Sequence, residues 1–489
     1  MSRINTPHIR VFVMLGFAVA LAGCAANPAT GGRDFTPFMS PSQERAIGAR
    51  EHPQVLQQFG GAYNEGDVAA YVATVGARVA ANSELPDLSW KFTVLNSSIP
   101  NAMALPGGYI YVTRGLLAIM NSEAELAGVL GHEVGHVTAR HSAKRYSSAA
   151  GVGIGAALLG AVTGNSNLQE IAQTGGSLYL ASYSRGQEFQ ADDLGVRYLA
   201  RSGYDPFAQA DVLDTLGMVT DLEARIAGRD SGQGFFSTHP RSPERVSRAR
   251  EKAGETEVQP NTRPRRESPY LAAIDGMIYG DDPALGVVDG NTFWHGPLGL
   301  TFSVPDGFSL VNTSSAVLAK GPSGSAMAFS GSRVSAGVSM RDYLVSDYGK
   351  SLKLNDVRGL RLNGMEAATG RTRTTANGKT VDVRLVTVRF SRDRVYRFQF
   401  VSDPRSTNAL DRQFLDIATS LRPITATEAR LIPVRRIKVL TVEQGETVDE
   451  LAELMAVPAH QRERFLALNG MRPGDRLRAG DRVKIVVDE

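Results

Sequence analysis

The 489-residue chain has little cysteine and little net charge, and each absence excludes a class of protein. Cys24 is its only cysteine, so no disulfide can form within one copy and the fold has to rest on a buried apolar core. The 53 Lys and Arg residues nearly balance the 50 Asp and Glu residues, which leaves no overall positive field of the kind that attracts nucleic acid. At 42% hydrophobic and 21% charged residues, the composition is otherwise that of an ordinary globular protein.

Long apolar runs are also scarce, and the clearest one lies at the start of the chain. Two arginines precede an apolar run over residues 11–22, which is short for a membrane span. The run ends in Leu-Ala-Gly before Cys24, a pattern that resembles a bacterial lipoprotein signal, with an ordinary signal peptide or an anchor helix as alternatives. We therefore predict a signal peptide over residues 1–23, a lipid on Cys24 and a flexible tether over 24–40. Ala25 favours a cell-envelope location at the outer membrane, facing the periplasm.

One segment of the chain prescribes a chemistry. It reads HEVGH and begins at His132. Positions i and i+4 of a helix lie on one face, so His132 and His136 can bind one metal ion while Glu133 points toward its open side. A capping-box pattern at Ser122 predicts that a helix runs here from about residue 122 to 141. The spacing therefore predicts a zinc-hydrolase site.

The two histidines need a third protein ligand. Catalytic zinc sites usually take three protein ligands and leave the fourth position for water. Glu188 and Asp192 lie four residues apart on a predicted helix, so one carboxylate could bind the metal while the other accepts a ring N–H from a ligand histidine. By itself such an acidic pair is more often a solvated helix face. Beside HEVGH, the metal-site interpretation is favoured.

Four segments together resemble the HExxH zinc metallopeptidases that include the CAAX-prenyl endopeptidases and the bacterial HtpX and BepA proteases. They are NAMALPGGYIYVTRGLL, HEVGHVTARH, SRGQEFQADDLG and STHPRSPERV, in this order within roughly residues 40–255. The resemblance implies one zinc ion per chain. The roles that it implies are zinc ligands at His132, His136 and Glu188, the catalytic base at Glu133, and a support behind the ligands at Asp192.

The same resemblance implies a substrate-binding strand. In that family, the strand that contains Gly108, Tyr109, Ile110 and Tyr111 forms the sheet edge along which an extended substrate lies. From the alternation of residues alone, a purely structural strand is the favoured interpretation.

Three more residues near the motifs have open roles. In the resembling family, a loop like that of His239 can place a histidine on the open metal position and hold the enzyme inactive. Arg245 could stabilise the oxyanion or pair with an acidic side chain, and the sequence does not decide between these. His141 is about half a helical turn out of phase with His132, so we expect a structural role for it.

The pattern changes along the chain predict an α+β multidomain protein. It would comprise a mainly helical zincin catalytic domain with a small sheet, an antiparallel-sheet α+β module, and a small domain that resembles a lysin motif. The predicted boundaries are 41–254 for the zinc metallopeptidase domain, 255–287 for a linker, 288–423 for the α+β module and 437–489 for the lysin-motif-like domain.

Two segments keep alternative interpretations. The apolar stretch 147–164 is either a helix that covers the cleft or touches a membrane, or a plain buried helix. Lysin motifs commonly bind the N-acetylglucosamine chains of peptidoglycan, but the copy at 437–489 is single and could instead dock on its own catalytic domain. Two prolines in the preceding linker favour an independently folded unit, whose removal would leave proteolysis largely intact.

These features predict a zinc-dependent metalloendopeptidase that cleaves extended or misfolded cell-envelope proteins. Its expected partners are polypeptide substrates, the membrane through an N-terminal lipid, and peptidoglycan; nucleic acid is not expected. The alternative is a non-catalytic envelope scaffold or chaperone that binds peptidoglycan and assembles outer-membrane proteins.

Overall fold

The computed structural model describes residues 24–36, 39–148, 181–226, 235–376 and 378–489. The predicted signal peptide and most of the apolar stretch 147–164 lie outside these ranges. The chain divides into two compact units. The first contains residues up to Gln57, Gly61–Met277 and Ile437–Val487, and the second contains Gln58–Gly60, Ile278–Arg436 and Asp488–Glu489. Over the described ranges, we find no helix that combines the length and the apolar character needed to cross a membrane.

The part of the first unit that contains the HEVGH motif is mainly helical, as predicted. Its helices are α1 (Pro41–Gln58), α2 (Val68–Ala81), α3 (Arg114–Ile119), α4 (Glu123–Thr138), α5 (Arg185–Arg201), α6 (Ala208–Ile226), α7 (Phe235–Thr238), α8 (Pro243–Gly254) and α9 (Glu267–Ile274). Ser122 begins α4 as expected, because its Oγ accepts a hydrogen bond from Glu125 N at 3.1 Å. Helix α4 ends earlier than predicted, since Arg140 takes a left-handed φ of 58° and reverses the chain.

Five short strands accompany these helices. They are β1 (Cys24–Ala26), β2 (Arg33–Phe35), β3 (Lys91–Leu95), β4 (Ala102–Leu105) and β5 (Tyr109–Thr113). The last three form one sheet in the order β3-β5-β4, in which β5 is parallel to β3 and antiparallel to β4. The prediction that Gly108, Tyr109, Ile110 and Tyr111 form a substrate-binding edge is therefore wrong. Both sides of β5 are paired, and all five of its residues are buried.

The segment 24–40 is not a loose tether. Strands β1 and β2 pair as a hairpin, and the hairpin contacts the end of α4. Asn27 Nδ2 donates to Ala139 O at 3.2 Å, and Ala29 N donates to Thr138 O at 3.3 Å. These carbonyls lie at the C-terminal end of α4, where no further helical N–H group is present to donate a hydrogen bond to them. The N-terminal segment thus caps the helix that carries the HEVGH motif.

The predicted linker 255–287 also contains ordered structure. It includes α9, whose Tyr270 hydroxyl donates to Leu117 O at 2.5 Å. Its arginines form ion pairs with the helical part of this unit: Arg265 Nε lies 3.0 Å from Asp205 Oδ2. The first unit therefore extends past the predicted end of the catalytic domain at residue 254, to Met277.

The second unit is an α+β module with antiparallel sheets, as predicted. Its strands are β6 (Val287–Asp289), β7 (Thr292–His295), β8 (Leu300–Ser303), β9 (Ser309–Asn312), β10 (Val317–Lys320), β11 (Ala326–Arg333), β12 (Asn355–Leu362), β13 (Met365–Ala376), β14 (Lys379–Arg389), β15 (Arg394–Ser402) and β16 (Arg422–Pro423). Seven form one sheet in the order β12-β13-β14-β15-β11-β10-β9, and four form the sheet β16-β8-β7-β6. Its helices are α10 (Met340–Tyr343), which continues into a π-helical turn over Leu344–Tyr348, α11 (Thr407–Ser420) and α12 (Ala426–Arg430), besides a 3-10 turn over Pro322–Gly324.

The C-terminal segment forms a strand, two helices and a strand. These are β17 (Arg435–Thr441), α13 (Val448–Glu453), α14 (Gln461–Leu468) and β18 (Arg482–Asp488), and the two strands pair with each other. Residues Ile437–Val487 belong to the same compact unit as helices α2–α9, and α14 packs against α6. We refer to Ile437–Val487 as the C-terminal module. The separation that the linker prolines suggested is not found.

Candidate active site

Two buried helices bring the predicted metal ligands together. His132 and His136 lie one turn apart on α4, with their Nε2 atoms 3.0 Å from each other. Helix α5 packs against α4 and places Glu188 Oε1 3.4 Å from His136 Nε2 and Glu188 Oε2 3.7 Å from His132 Nε2. Gly135 permits this close packing, because a Cβ there would lie only 3.1 Å from the Leu194 Cβ. The i, i+4 pairs therefore face one another across the helix interface.

An acidic side chain orients the first histidine. Asp192 Oδ1 lies 2.9 Å from His132 Nδ1, and Arg245 holds the same carboxylate through Nε and Nη2, at 2.7 and 2.9 Å. Gln209 Nε2 donates to Asp192 Oδ1 at 3.2 Å. A carboxylate accepts, so His132 carries its proton on Nδ1 and turns the Nε2 lone pair toward His136 and Glu188. Asp192 thus lies where it can support a ligand histidine, the role that the sequence predicts for it.

The second histidine of the motif has a partner in His141, for which the helical phase predicts only a structural role. His136 Nδ1 lies 2.8 Å from His141 Nδ1, and His141 Nε2 lies 2.9 Å from Gln190 Oε1. An amide oxygen only accepts, so His141 donates from Nε2 and accepts from His136 through Nδ1. This arrangement leaves the Nε2 lone pair of His136 free for a metal. Burial lowers the pKa of His141 to about 4, which keeps its ring neutral.

An aromatic side chain packs against the same ligand. The Tyr183 ring stacks on His136 with centroids 3.7 Å apart and an angle of 14° between the planes. The Arg145 guanidinium lies 3.7 Å over the Tyr183 ring, and Tyr183 N donates to Thr238 O at 3.1 Å. Burial raises the pKa of Tyr183 to about 12, so its hydroxyl stays protonated beside Ser142 Oγ, at 3.0 Å. Tyr183 therefore fixes the plane of a ligand ring.

His239 comes close enough to be a fourth metal ligand. Its Nδ1 atom lies 3.2 Å from both His132 Nε2 and Glu188 Oε1. Its Nε2 atom lies 3.3 Å from Ala102 O and 3.4 Å from Glu133 Oε1. One ligand atom from each of His132, His136, Glu188 and His239 can be chosen so that all lie within 4.8 Å of one another. Phe235 stacks on the His239 ring, with centroids 4.4 Å apart, and holds it in place.

Glu133 lies against this cluster without a hydrogen bond. It is fully buried, and neither of its carboxylate oxygens has a hydrogen-bond partner in the part of the chain that the structure describes. A buried polar group without a partner is costly and points to an additional ligand or water in the working protein. Burial raises the pKa of Glu133, although the neighbouring imidazoles of His239 and His132 oppose that shift. A carboxyl group with a raised pKa is suited to take up and release a proton.

The donor set fits zinc. Two imidazole nitrogens and one carboxylate are a frequent ligand set of catalytic zinc, and a third imidazole can complete four-coordination. Burial opposes the charge on Glu188, but the His239 charge and the close approach of the His136 and His239 imidazoles outweigh this cost and lower the pKa of Glu188. The carboxylate is therefore ionised, as a metal ligand has to be.

Arg245 lies behind the ligands, where its acidic partners occupy it. Besides its two contacts to Asp192, its Nη1 atom lies 2.7 Å from Glu188 Oε2. Nη1 also donates to the backbone carbonyls of His239 and Pro240, both at 3.4 Å. Burial opposes its charge, but the Asp192 carboxylate outweighs that effect and raises the pKa of Arg245. Of the two roles considered, the geometry favours ion pairing over oxyanion stabilisation.

The sheet edge next to the cluster is β4. Thr113 N donates to Asn101 O at 2.9 Å, so the alternation of an antiparallel pair turns the carbonyls of Ala102 and Ala104 away from β5. These carbonyls accept hydrogen bonds from His239 Nε2 and Ser142 Oγ, both at 3.3 Å. The outer side of β4 is thus lined by groups of the site itself.

Comparisons with known proteins agree with this geometry. Residues 67–253 match the model of Peptidase family M48. The chain is 37% identical over 167 residues to the mitochondrial metalloendopeptidase OMA1 of Arabidopsis thaliana, a match that covers 34% of this chain and 32% of that protein. It is 30% identical over 227 residues to the beta-barrel assembly-enhancing protease of Yersinia pestis, covering 44% and 45%. The corresponding protease of Escherichia coli K12 is 29% identical over 211 residues, covering 41% and 42%.

The matched segment spans about a third to a half of the length of these relatives. Among solved structures, cyanobacterial PsbP from Synechocystis sp. PCC 6803 has a TM-score of 0.23 at 14% identity and covers 28% of this chain and 98% of that one, a likeness too low to carry an argument. The family resemblance drawn from the four sequence motifs is confirmed over the range 67–253.

Proposed function

Since residues 67–253 match the model of Peptidase family M48, we propose that the chain is a zinc-dependent metalloendopeptidase. The observation that carries the proposal is the buried cluster of His132, His136 and Glu188 next to Glu133, whose carboxylate accepts no hydrogen bond from the described residues. A protein without this chemistry would gain nothing from burying a carboxylate that accepts no hydrogen bond. His239 is proposed as a fourth ligand in a resting form of the enzyme.

The residues divide the work of peptide hydrolysis. His132, His136 and Glu188 would hold the zinc ion, which when bound polarises the scissile carbonyl and lowers the pKa of the attacking water. Glu133 takes the proton from that water and delivers it to the leaving amine. Asp192 and His141 hold the two ligand imidazoles in the tautomer that exposes Nε2.

We propose the outer side of β4 as the substrate template, in place of β5. An extended peptide that pairs with a strand edge is recognised by its backbone on both sides of the cut, which favours endopeptidase activity over exopeptidase activity. The substrates would be extended or misfolded polypeptides of the cell envelope. The names of the Yersinia pestis and Escherichia coli relatives, both beta-barrel assembly-enhancing proteases, support this assignment.

The proposal is tested by zinc content together with casein hydrolysis by the purified chain. We expect one zinc ion per chain, loss of cleavage on treatment with a chelator, and recovery when zinc is restored. A protein that binds no zinc and cleaves no casein would instead fit the alternative of a non-catalytic envelope scaffold or chaperone.

His239→Ala should raise casein cleavage by roughly two- to tenfold. This range is expected if the resting form, in which His239 occupies the fourth metal position, makes up half or more of the wild-type protein. The imidazole lies against the metal cluster and against the Ala102 carbonyl, so it competes with both water and substrate. Initial rates per zinc-loaded chain measure the effect. The control is His239→Ala combined with Glu133→Gln, which should be inactive. A fall in activity without misfolding would give His239 a role in substrate binding instead.

We further propose that Cys24 carries a lipid and anchors the protein in the envelope, at the outer membrane facing the periplasm. The support is the apolar run that ends just before Cys24. Cys24→Ser should leave the membrane fraction or accumulate as an unprocessed precursor. Fractionation and intact mass measure this change, and an unchanged mass and distribution would count against lipidation.

For the C-terminal module, we retain the resemblance of 437–489 to a lysin motif as a proposal. Its order of strand, helix, helix and strand supports the resemblance. The proposed ligand is peptidoglycan, and co-sedimentation of the full chain with purified peptidoglycan tests it. A chain that stays in the supernatant would leave docking on the protease as the role of the module.

A further inference from the structure

A buried lysine of the C-terminal module reaches into the protease. Lys484 lies on β18, and its side chain is among the largest fully buried ones of the chain. Its Nζ atom donates to the carbonyl oxygens of Ala118, Ile119 and Met120, at 2.7, 3.4 and 2.6 Å. Lysine is almost never fully buried unless its charge has partners. Here three backbone carbonyls from one turn provide them.

Those carbonyls lie at the turn that connects α3 to the zinc-binding helix α4. They are at the C-terminal end of α3, where carbonyls lack helical partners, and the next residues lead directly into the zinc-binding helix α4. From the α4 side, Glu125 Oε2 accepts a hydrogen bond from Asn121 N at 2.7 Å. Lys484 and Glu125 therefore both form hydrogen bonds to the backbone of this turn, one at each of its ends.

The two charged groups depend on each other. Burial raises the pKa of Glu125, opposed by the hydrogen bond from Asn121 and by the Lys484 charge. Burial lowers the pKa of Lys484, opposed by the Glu125 charge. Each group favours the charged form of the other. Loss of either one would therefore weaken the hydrogen bonds of the other to the backbone of the turn.

The module presents Lys484 through fixed contacts. Asn469 donates to Lys484 O at 2.9 Å and accepts from Lys484 N at 2.7 Å. Around it, Arg464 Nη1 lies 2.7 Å from Glu223 Oε1 on α6, and Arg472 forms an ion pair with Asp214 of the same helix. These exposed pairs contribute little by themselves, whereas the buried ammonium and its acceptors cannot be exchanged for water.

We propose that the C-terminal module is a built-in clamp on the turn that enters the zinc helix, with Lys484 as its positioning residue. The surface of the protease at Ala118, Ile119 and Met120 has this module of the same chain as its partner. The clamp sets where α4 begins, and hence where its histidines and Glu133 stand relative to a substrate. Only the activity readout of this inference rests on the proposed function.

Lys484→Met tests the clamp, since it keeps most of the stem and removes the ammonium. Lys438→Met is the matched control, because Lys438 is exposed on the partner strand β17. We expect Lys484→Met to lower kcat for casein peptides about tenfold per zinc-loaded chain, as misplacement of a site from a distance does, while KM stays within about twofold. Amide exchange should accelerate at residues 118–126, and β17 and β18 should remain protected. Lys438→Met should match the wild type.

Equal kcat and equal exchange at 118–126 in the two methionine variants would overturn the clamp. If Lys484→Met does not fold, Arg464→Glu combined with Arg472→Glu loosens the docked module instead, because it sets like charges opposite Glu223 and Asp214 without burying an unpaired group. Faster exchange at 118–126 with a lower kcat supports the inference in that variant, and unchanged exchange overturns it. Absence of any cleavage by the wild type would contradict the proposed function alone, because the exchange measurement needs no activity.

Discussion

Glu133→Gln should keep its zinc and lose about a hundred- to ten-thousandfold in the rate of peptide hydrolysis, the range that proton transfer by a placed side chain contributes. The amide has the shape of the carboxylate but cannot accept the proton of the attacking water. The ligand atoms belong to other residues, so metal binding should persist. Zinc content by elemental analysis and cleavage of a fluorogenic peptide measure the two properties on the same preparation.

The matched control for that variant is Glu251→Gln, at an exposed position of α8, which should leave both properties unchanged. Full activity in the Glu133→Gln protein would end the zinc-hydrolase proposal. Loss of zinc together with activity would instead show that Glu133 holds the metal.

Glu188→Ala should lose zinc and activity together. Its carboxylate is the one acidic member of the ligand cluster, and its removal also leaves Arg245 without one of its two acidic partners. Asp192→Asn should have a smaller effect, since loss of a supporting partner typically weakens metal affinity by about 10- to 100-fold. Competition with a fluorescent chelator measures zinc affinity, which should be highest in the wild type, lower in Asp192→Asn and lowest in Glu188→Ala. Wild-type zinc affinity in Glu188→Ala would remove this residue from the ligand set.

The parts of the site that depend on local periodicity were predictable from the sequence. His132 and His136 on one helix, and Glu188 and Asp192 on another, are each four residues apart, and the serine cap of α4 is visible in the letters. Such features require only helical geometry. Each pair therefore lies on one face of its helix, whereas the meeting of the two faces depends on the packing of α4 against α5.

Other features depend on the path of the chain and have weak signals. The approach of His141 to His136 depends on a left-handed φ at Arg140, a position where glycine would have been the recognisable signal. The central place of β5 follows from its parallel pairing with β3, which alternation along one strand cannot reveal. The burial of Lys484 depends on backbone carbonyls more than 360 residues earlier in the chain, and the sequence around Lys484 does not predict these contacts.

The contact of Asn27 with the end of α4 limits where the enzyme could work. Only three residue steps separate Cys24 from Asn27, and a fully extended chain spans at most about 10 Å over that length. With a lipid on Cys24, the segment that connects the membrane to the end of α4 would be shorter than α4 itself. The site would then work only close to the bilayer surface, and polypeptides would be cleaved according to how long they remain unfolded there.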